Sequence, residues 1–360
     1  MAERMVKQFM EMVQIDSESG NEAEFIEYLF KEFSQMGGEP RKDAYGNLVA
    51  KFPARNSASQ VPVLLSCHAD TVLPGQGIKP RLENGVIRSA GDTILGADDK
   101  AGIAEMLAAL RMAKVMPPVE VAISRQEEVG LHGVKNLDYS LLSAKRGFLL
   151  DNDTLDTIVI GGPSYFAMDV FVKGRAAHAG MEPEKGINAI WAAAKAISKL
   201  RLGRIDKKTT ANVGVIKGGM IRNGVPDQAS FLAECRSLNH EKAQALALKM
   251  EAIIRREVEA AGATVEIKTD NLCRAVTISP SAWTVKTAKK ALAKVGIKAK
   301  TTFITGFTDA SIYNNQGIEM AVVGIGARNE HSNEEHILVA DMEKALAMII
   351  EILRLSAAAK

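Results

Sequence analysis

Val61-Pro62-Val63-Leu64-Leu65-Ser66-Cys67-His68-Ala69-Asp70 is an apolar run that turns polar at its carboxyl end. Its core, Val63 to Cys67, lacks the alternation of a half-buried strand and suits the middle of a sheet covered on both faces; Pro62 restricts only its start. Downstream, Leu95-Gly96-Ala97-Asp98-Asp99-Lys100 leads into an alanine-rich helix expected over about 101–116, which Pro117-Pro118 ends. Val119-Glu120-Val121-Ala122-Ile123-Ser124 reads as the next strand. Strand, helix, strand in this order is the signature of an α/β layer. The runs Leu149-Leu150, Ile158-Val159-Ile160 and Met320 to Ile325 continue the sheet, and Asn47 to Phe52 adds a strand ahead of it.

Outside this frame, apolar spacing predicts a helix around Val6, Phe9, Met10 and Val13, and a second around Phe25 to Phe33. Ser19 with Glu22 three residues later has the spacing of a capping box for the second helix. The middle of the chain has its own order: strand 165–173, helix 186–200, strands 211–216 and 229–235, helix 240–260 and strand 264–268. This βαββαβ order can close a small α+β sandwich by itself. A helix over about 282–295, a strand near 300–303, a helix from about Asp309 and a final helix from Val339 to Leu355 return to the first layer. The expected domains are therefore residues 1–163 and 273–360 as one catalytic domain, with 164–272 inserted.

Bulk properties exclude several classes. The 360 residues carry 45 Lys and Arg against 43 Asp and Glu, with no basic tail or acidic block, which argues against nucleic acid as a partner. A hydrophobic fraction of 47% fits a folded protein, and no run approaches the roughly 20 apolar residues of a membrane span. Cys67, Cys235 and Cys273 lack Cys-x-x-Cys spacing, which points to a reducing compartment, the cytoplasm, rather than a disulfide or thiolate-metal scaffold.

The chemistry gathers after strands. His68 and Asp70 share one side of an extended chain, so one imidazole nitrogen is free for a metal while Asp70 orients the other or approaches the site. Asp98 and Asp99 precede a helix; capping explains one carboxylate better than two adjacent ones, whereas divalent cations stabilise both. Glu127 and Glu128 follow strand 119–124, where one glutamate can bind metal while its neighbour takes a proton from water. Taken alone, that pair reads as a solvated acidic turn. Asp151 ends a further strand, and His331 lies in the loop after Met320 to Ile325. His132, His240 and His336 read as bland polar histidines. Nitrogen and oxygen donors of this kind suit two divalent ions, zinc first, with cobalt or manganese also compatible. Hydrolysis follows from the residues themselves.

Ser66-Cys67-His68-Ala69-Asp70, Gly96-Ala97-Asp98-Asp99-Lys100-Ala101-Gly102, Glu127-Glu128-Val129-Gly130, Asp151 and His331-Ser332 together resemble the co-catalytic zinc exopeptidase and aminoacylase superfamily, most closely its peptidase T-like, tripeptide aminopeptidase-like branch. That resemblance implies a zinc-exopeptidase-like mixed-sheet catalytic domain with an inserted ferredoxin-like α+β lid or dimerisation domain. It implies that Asp98 bridges two metals, that His68 and Asp151 complete one ligand set, and that Glu128 and His331 complete the other. Glu127 would be general base and then acid, Asp70 would support His68, and the Asp98–Asp99 peptide would be cis. Ala176-Ala177-His178-Ala179-Gly180 matches the histidine motif that stabilises the oxyanion, from the same subunit or across a homodimer. Asn223 and Arg236 match positions that grip a substrate carboxylate. Gly306-Phe307-Thr308-Asp309 matches a substrate-side loop, with Phe307 in place of the more usual glycine. Asp151-Asn152-Asp153 replaces the Asp-Gly of many relatives, and aspartate rather than glutamate at this ligand accompanies aminopeptidase-type members. The expected substrate is thus a short peptide with a free amino terminus. The alternatives are a metal-dependent carboxypeptidase or N-acyl-amino-acid amidohydrolase, and a noncatalytic small-peptide or metal-binding protein.

Overall fold

A computed structural model describes residues 2–358, which divide into two compact units. The first comprises the chain up to Ile160, Thr277–Phe303 and the residues from Thr308 onward; the second comprises Gly161–Val276 with Ile304–Phe307.

The first unit is built on an eight-stranded mixed sheet. Its spatial order is Glu39–Lys42, Leu48–Phe52, Val119–Ser124, Val63–His68, Arg146–Asn152, Glu319–Gly324, Thr157–Val159 and Lys300–Thr302. Val63–His68 runs parallel to both its neighbours, and Glu319–Gly324 runs parallel to Arg146–Asn152. Every residue of Val63–His68 and of Val119–Ser124 is buried, as the unbroken apolar runs require of strands covered on both faces. Because these four strands are parallel, His68, Ser124, Asp151 and Gly324 all end at one edge. That edge is where an open α/β sheet places ligands.

The helix Ala97–Met112 is buried nearly all round, and its small residues let it lie close to the sheet and to the final helix Val339–Ala357. Gly102 is required there: a Cβ would fall 2.3 Å from Asp99 Oδ1 and 2.5 Å from the Leu150 carbonyl. The helix stops four residues before the expected Met116. Ala113 is extended, and Met116, which precedes a proline and so disfavours helical backbone, exchanges hydrogen bonds with Arg55 instead. The expected capping box also fails. Helix Ala23–Gln35 begins after Glu22 without a side-chain cap; Ser19 Oγ donates to Asp70, and Glu22 accepts from Gly20 N and from Arg125. A local spacing was outcompeted by tertiary partners.

The second unit is an antiparallel five-stranded sheet in the order Gly203–Asp206, Thr209–Gly218, Gln228–Ser237, Ser164–Lys173, Thr264–Cys273. Phe166, Met168, Val170 and Val172 alternate inward and join residues of helices Ala189–Lys199 and His240–Ala260 in a separate core. Gly203–Asp206 escaped the sequence pattern because it is a short, largely exposed strand whose residues show no apolar alternation.

Glu105, within helix Ala97–Met112, is fully buried and neither carboxyl oxygen has a hydrogen-bond partner. Burial first, then the charges of Asp99 and Asp341, raises its pKa well above the usual carboxylate range. The folded state therefore keeps a proton that the unfolded chain releases. The stability associated with that proton is complete below the unfolded pKa and is lost, by up to about 1.4 kcal/mol per pH unit, as pH rises toward the folded pKa. Thermal unfolding at pH 5 to 9 is expected to show Glu105→Gln gaining on wild type as pH rises; a constant Tm difference across that range would refute a buried neutral Glu105.

Candidate active site

At the carboxyl edge of the parallel strands, His68 Nε2 lies 3.2 Å from Asp98 Oδ1 and 3.5 Å from Asp151 Oδ1. Its Nδ1 is 2.9 Å from the Asp70 carbonyl oxygen, an acceptor only, so in the neutral ring Nδ1 carries the hydrogen and Nε2 offers its lone pair to the site. The other oxygen of Asp98, Oδ2, is 3.2 Å from His331 Nε2, which is 2.9 Å from Glu128 Oε1. One carboxylate thus faces two imidazoles with one oxygen each. Ligand atoms of His68, Asp98 and Glu128 lie within 4.8 Å of one another, as do those of His68, Asp99 and Asp151. Asp99 is nevertheless committed inward. Its Oδ2 accepts the His68 backbone N–H at 3.1 Å, and its Oδ1 approaches the position a Cβ on Gly102 would occupy. Asp153 is turned to its own loop, accepting from Thr154 N at 2.7 Å. The Asp98–Asp99 peptide is cis, as the resemblance implied.

Backbone hydrogen bonds hold these carboxylates. The Asp70 carboxylate is only 3.5 Å from His68 Nδ1, but it accepts Glu127 N at 2.9 Å, Glu128 N at 3.1 Å and Ser19 Oγ–H at 2.7 Å. Asp70 thus contacts His68 and also fixes the turn that carries both glutamates. Glu335, which sequence reasoning missed, accepts Leu95 N, Gly96 N and Asp98 N at 2.8, 2.7 and 3.0 Å and so fixes the loop that carries Asp98. Lys100, buried, donates to the Ile15 carbonyl at 2.7 Å and lies over the Phe25 ring. Ser124 donates to Asp309, joining the end of strand Val119–Ser124 to the helix Asp309–Asn315. Gln126 and His331 adopt the left-handed backbone region, uncommon for such residues and concentrated here at the site.

The site's electrostatics call for positive charge. Burial first raises the Glu127 pKa well above normal, and Asp151, Asp309 and Glu128 add to it against the opposing pull of His68. Burial likewise lifts Asp151 to about 7 despite its bond to His68. At Asp98 burial is outweighed by hydrogen bonds from His331 and His68, which hold the carboxyl well below its usual range. Hydrogen bonds to Asp98 and then Glu128 push His331 to about 10. At His68 burial opposes protonation but is overcome by Asp151, Asp70 and Asp98, and the pKa rises. Without added positive charge, these shifts favour the protonated forms of His68, His331, Glu127 and Asp151. The buried Oδ1 atoms of Asp99 and Asp309 have no hydrogen-bond partner. This oxygen-and-imidazole donor set, with more carboxylates than cations, fits two divalent metal ions, which would displace those protons.

In the second unit, His178 and Asn223 are neighbours on two paired short segments: Ala179 N donates to the Asn223 carbonyl at 3.0 Å. His178 Nδ1 accepts Gly180 N and Met181 N at 3.2 and 3.1 Å, which leaves Nε2 as the donor of an exposed ring. Arg236 lies on strand Gln228–Ser237, bonded to Glu234. Thr308, in the first unit, precedes the helix Asp309–Asn315 and makes no side-chain cap. Among the remaining histidines, His240 Nδ1 pairs with Ser164 Oγ and His336 Nδ1 with the Glu334 carbonyl.

Comparison with known proteins gives a consistent result. Residues 163–261 match the Peptidase dimerisation domain family and residues 47–200 match Peptidase family M28. The chain is 36% identical to the YqjE protein of Bacillus subtilis over 97% of each chain. The crystal structure of aminopeptidase PepT from Bacillus cereus is similar over 99% of both chains, with 36% identity and a TM-score of 0.91. That of a tripeptidase from Staphylococcus aureus also covers 99% of both, with 33% identity and a TM-score of 0.94.

If Glu335 positions Asp98, Glu335→Gln, which turns an amide NH2 toward a ring of N–H donors, is expected to weaken metal affinity about 10- to 100-fold. Competition with a chromophoric chelator measures this; a folded variant that binds metal as tightly as wild type would show that the loop holds itself.

Proposed function

The chain belongs to the peptidase T-like family of metal-dependent exopeptidases that act on short peptides, and from that membership we propose that it is an aminopeptidase releasing the N-terminal residue of tripeptides. The observation that carries the reading is Asp98, whose two oxygens each lie 3.2 Å from a different imidazole. His68, Asp98 and Asp151 would hold one divalent ion, and Asp98, Glu128 and His331 the other, with zinc the first choice and cobalt or manganese alternatives. When bound, such a pair lowers the pKa of water and polarises the scissile carbonyl.

The protein's own residues do the rest. Glu127 takes the proton of the attacking water and returns it to the leaving amine. Asp70 holds the Glu127–Glu128 turn in register for both tasks. The family resemblance supports a role for His178, from the same subunit or a partner's, as the Nε2–H donor to the developing oxyanion, and for Asn223, Arg236 and Thr308 as substrate-binding residues. The free amino terminus is favoured by aspartate, rather than glutamate, at position 151, and by similarity to proteins described as an aminopeptidase and a tripeptidase. We further read residues 164–272 as a lid through which two copies pair, supported by the dimerisation-domain match. Among the described residues no helix is long and apolar enough to cross a membrane, and the three cysteines form no disulfide. A cytoplasmic location accords with those cysteines.

Tri-alanine should be cleaved and N-acetyl-tri-alanine left intact; cleavage of the acetylated peptide alone would move the enzyme to the acylase class. Glu127→Ala should lower kcat by about 10²- to 10⁴-fold while retaining metal, and equal turnover by wild type and variant would remove Glu127 from the chemistry. Chelation should abolish activity, with zinc, cobalt or manganese restoring it; full activity in the chelated protein would exclude the metal reading.

A further inference from the structure

Arg236 and Glu234 are two residues apart on one strand, so their side chains leave the same face. Arg236 Nε donates to Glu234 Oε1 at 3.1 Å and Nη2 donates to Oε2 at 2.9 Å, the two-bond fork that a guanidinium makes with a carboxylate. Nη1 donates to the Thr305 carbonyl at 3.2 Å. The guanidinium carbon sits 4.3 Å from the Tyr165 ring centre and 5.7 Å from that of Phe307, and the two rings stack with centres 5.4 Å apart at 21°. Phe307 thus completes an aromatic platform under the arginine. The pair is not sealed off: its side chains are 25% and 24% exposed. A ligand can reach it, but the fork is already filled.

We propose that Glu234 is a specificity-determining residue that occupies the Arg236 fork as a peptide's terminal carboxylate would, so that the enzyme reads the carboxyl end of its substrate weakly. This deepens the proposed activity and rests on Arg236 contacting the substrate. A carboxylate arriving at the guanidinium meets a like charge, that of Glu234, at the same fork. It must either displace Glu234, giving up two charge-assisted bonds, or settle for the N–H directions left over. The aromatic platform keeps the guanidinium plane in place, since swinging away forfeits the stacking, so the arginine does not readily turn to a second partner. An uncharged carboxyl end, as in an amidated or longer peptide, loses nothing in this arrangement.

The test compares KM for tri-alanine with KM for tri-alanine amide, a ratio that cancels any general effect on folding or chemistry. Wild type is expected to discriminate only a few-fold between them. Glu234→Gln, nearly the same shape without the charge, should shift the ratio toward the acid by on the order of tenfold, and adding Arg236→Gln should take that gain away. A ratio unchanged by Glu234→Gln, or a wild type that already prefers the acid more than about a hundredfold, overturns the proposal. If wild type turns over neither peptide, the aminopeptidase reading fails by itself. The same ratio, read from calorimetric dissociation constants of the two peptides, then still decides the role of Glu234.

Discussion

Mutual repulsion among carboxylates is the constraint around which this protein is organised. Asp98, Asp151, Glu127 and Glu128 converge at one strand edge with only two imidazoles among them, and burial makes each negative charge costly. Hydrophobic packing gives no reason to collect such groups, and replacing them with apolar residues of similar volume would be neutral or stabilising for the fold alone. Their presence makes sense where cations enter the site. The sheet supplies the rest of the condition, because only parallel strands bring His68, Asp151 and the Glu127 turn to the same edge from distant parts of the chain.

Holding those groups apart at fixed distances falls to backbone N–H donors rather than to other side chains. Asp70 accepts from the glutamate turn, Glu335 accepts from three N–H groups of the Asp98 loop, and Asp99 accepts from His68 itself. A carboxylate that anchors backbone has little rotational freedom left. The loop that carries Asp98 and the turn that carries Glu127 and Glu128 are therefore held to the sheet, which is what a two-ion site would need to keep one ion separation through turnover. Gly102 belongs to the same scheme, since any side chain there would press on Asp99 and on the strand that carries Asp151.

The sheet's central strands, the alternation of strands and helices in the middle section, and the polar residues at the strand ends were legible in the sequence because each is written locally. Val63 to Cys67 is apolar without alternation, and His68, Asp98, Glu127, Asp151 and His331 each follow a strand or open a helix. What escaped was written across the chain. Glu335 lies 237 residues from Asp98, and nothing in its neighbourhood of Asn333, Glu334 and His336 separates it from a solvated acidic loop. Ser19 has a capping box's spacing but takes Asp70, which outcompetes a helix terminus because it is buried and charged. The contact between Ser124 and Asp309, likewise, appears only when two strand ends and a late helix meet.

The inserted unit has its own core, so its surface can change without disturbing the sheet that holds the carboxylates. Chemistry and selectivity then answer to different constraints. The Asp98 loop and the Glu127–Glu128 turn are pinned by backbone hydrogen bonds to Glu335 and Asp70, whereas Arg236, Glu234, Tyr165 and Phe307 form a partly exposed cluster in which a single neutral substitution alters charge without opening a cavity. On the proposed reading, a guanidinium pre-paired with a carboxylate on its own strand would set how strongly a substrate's charged end is weighed, independently of how fast its bond is cut.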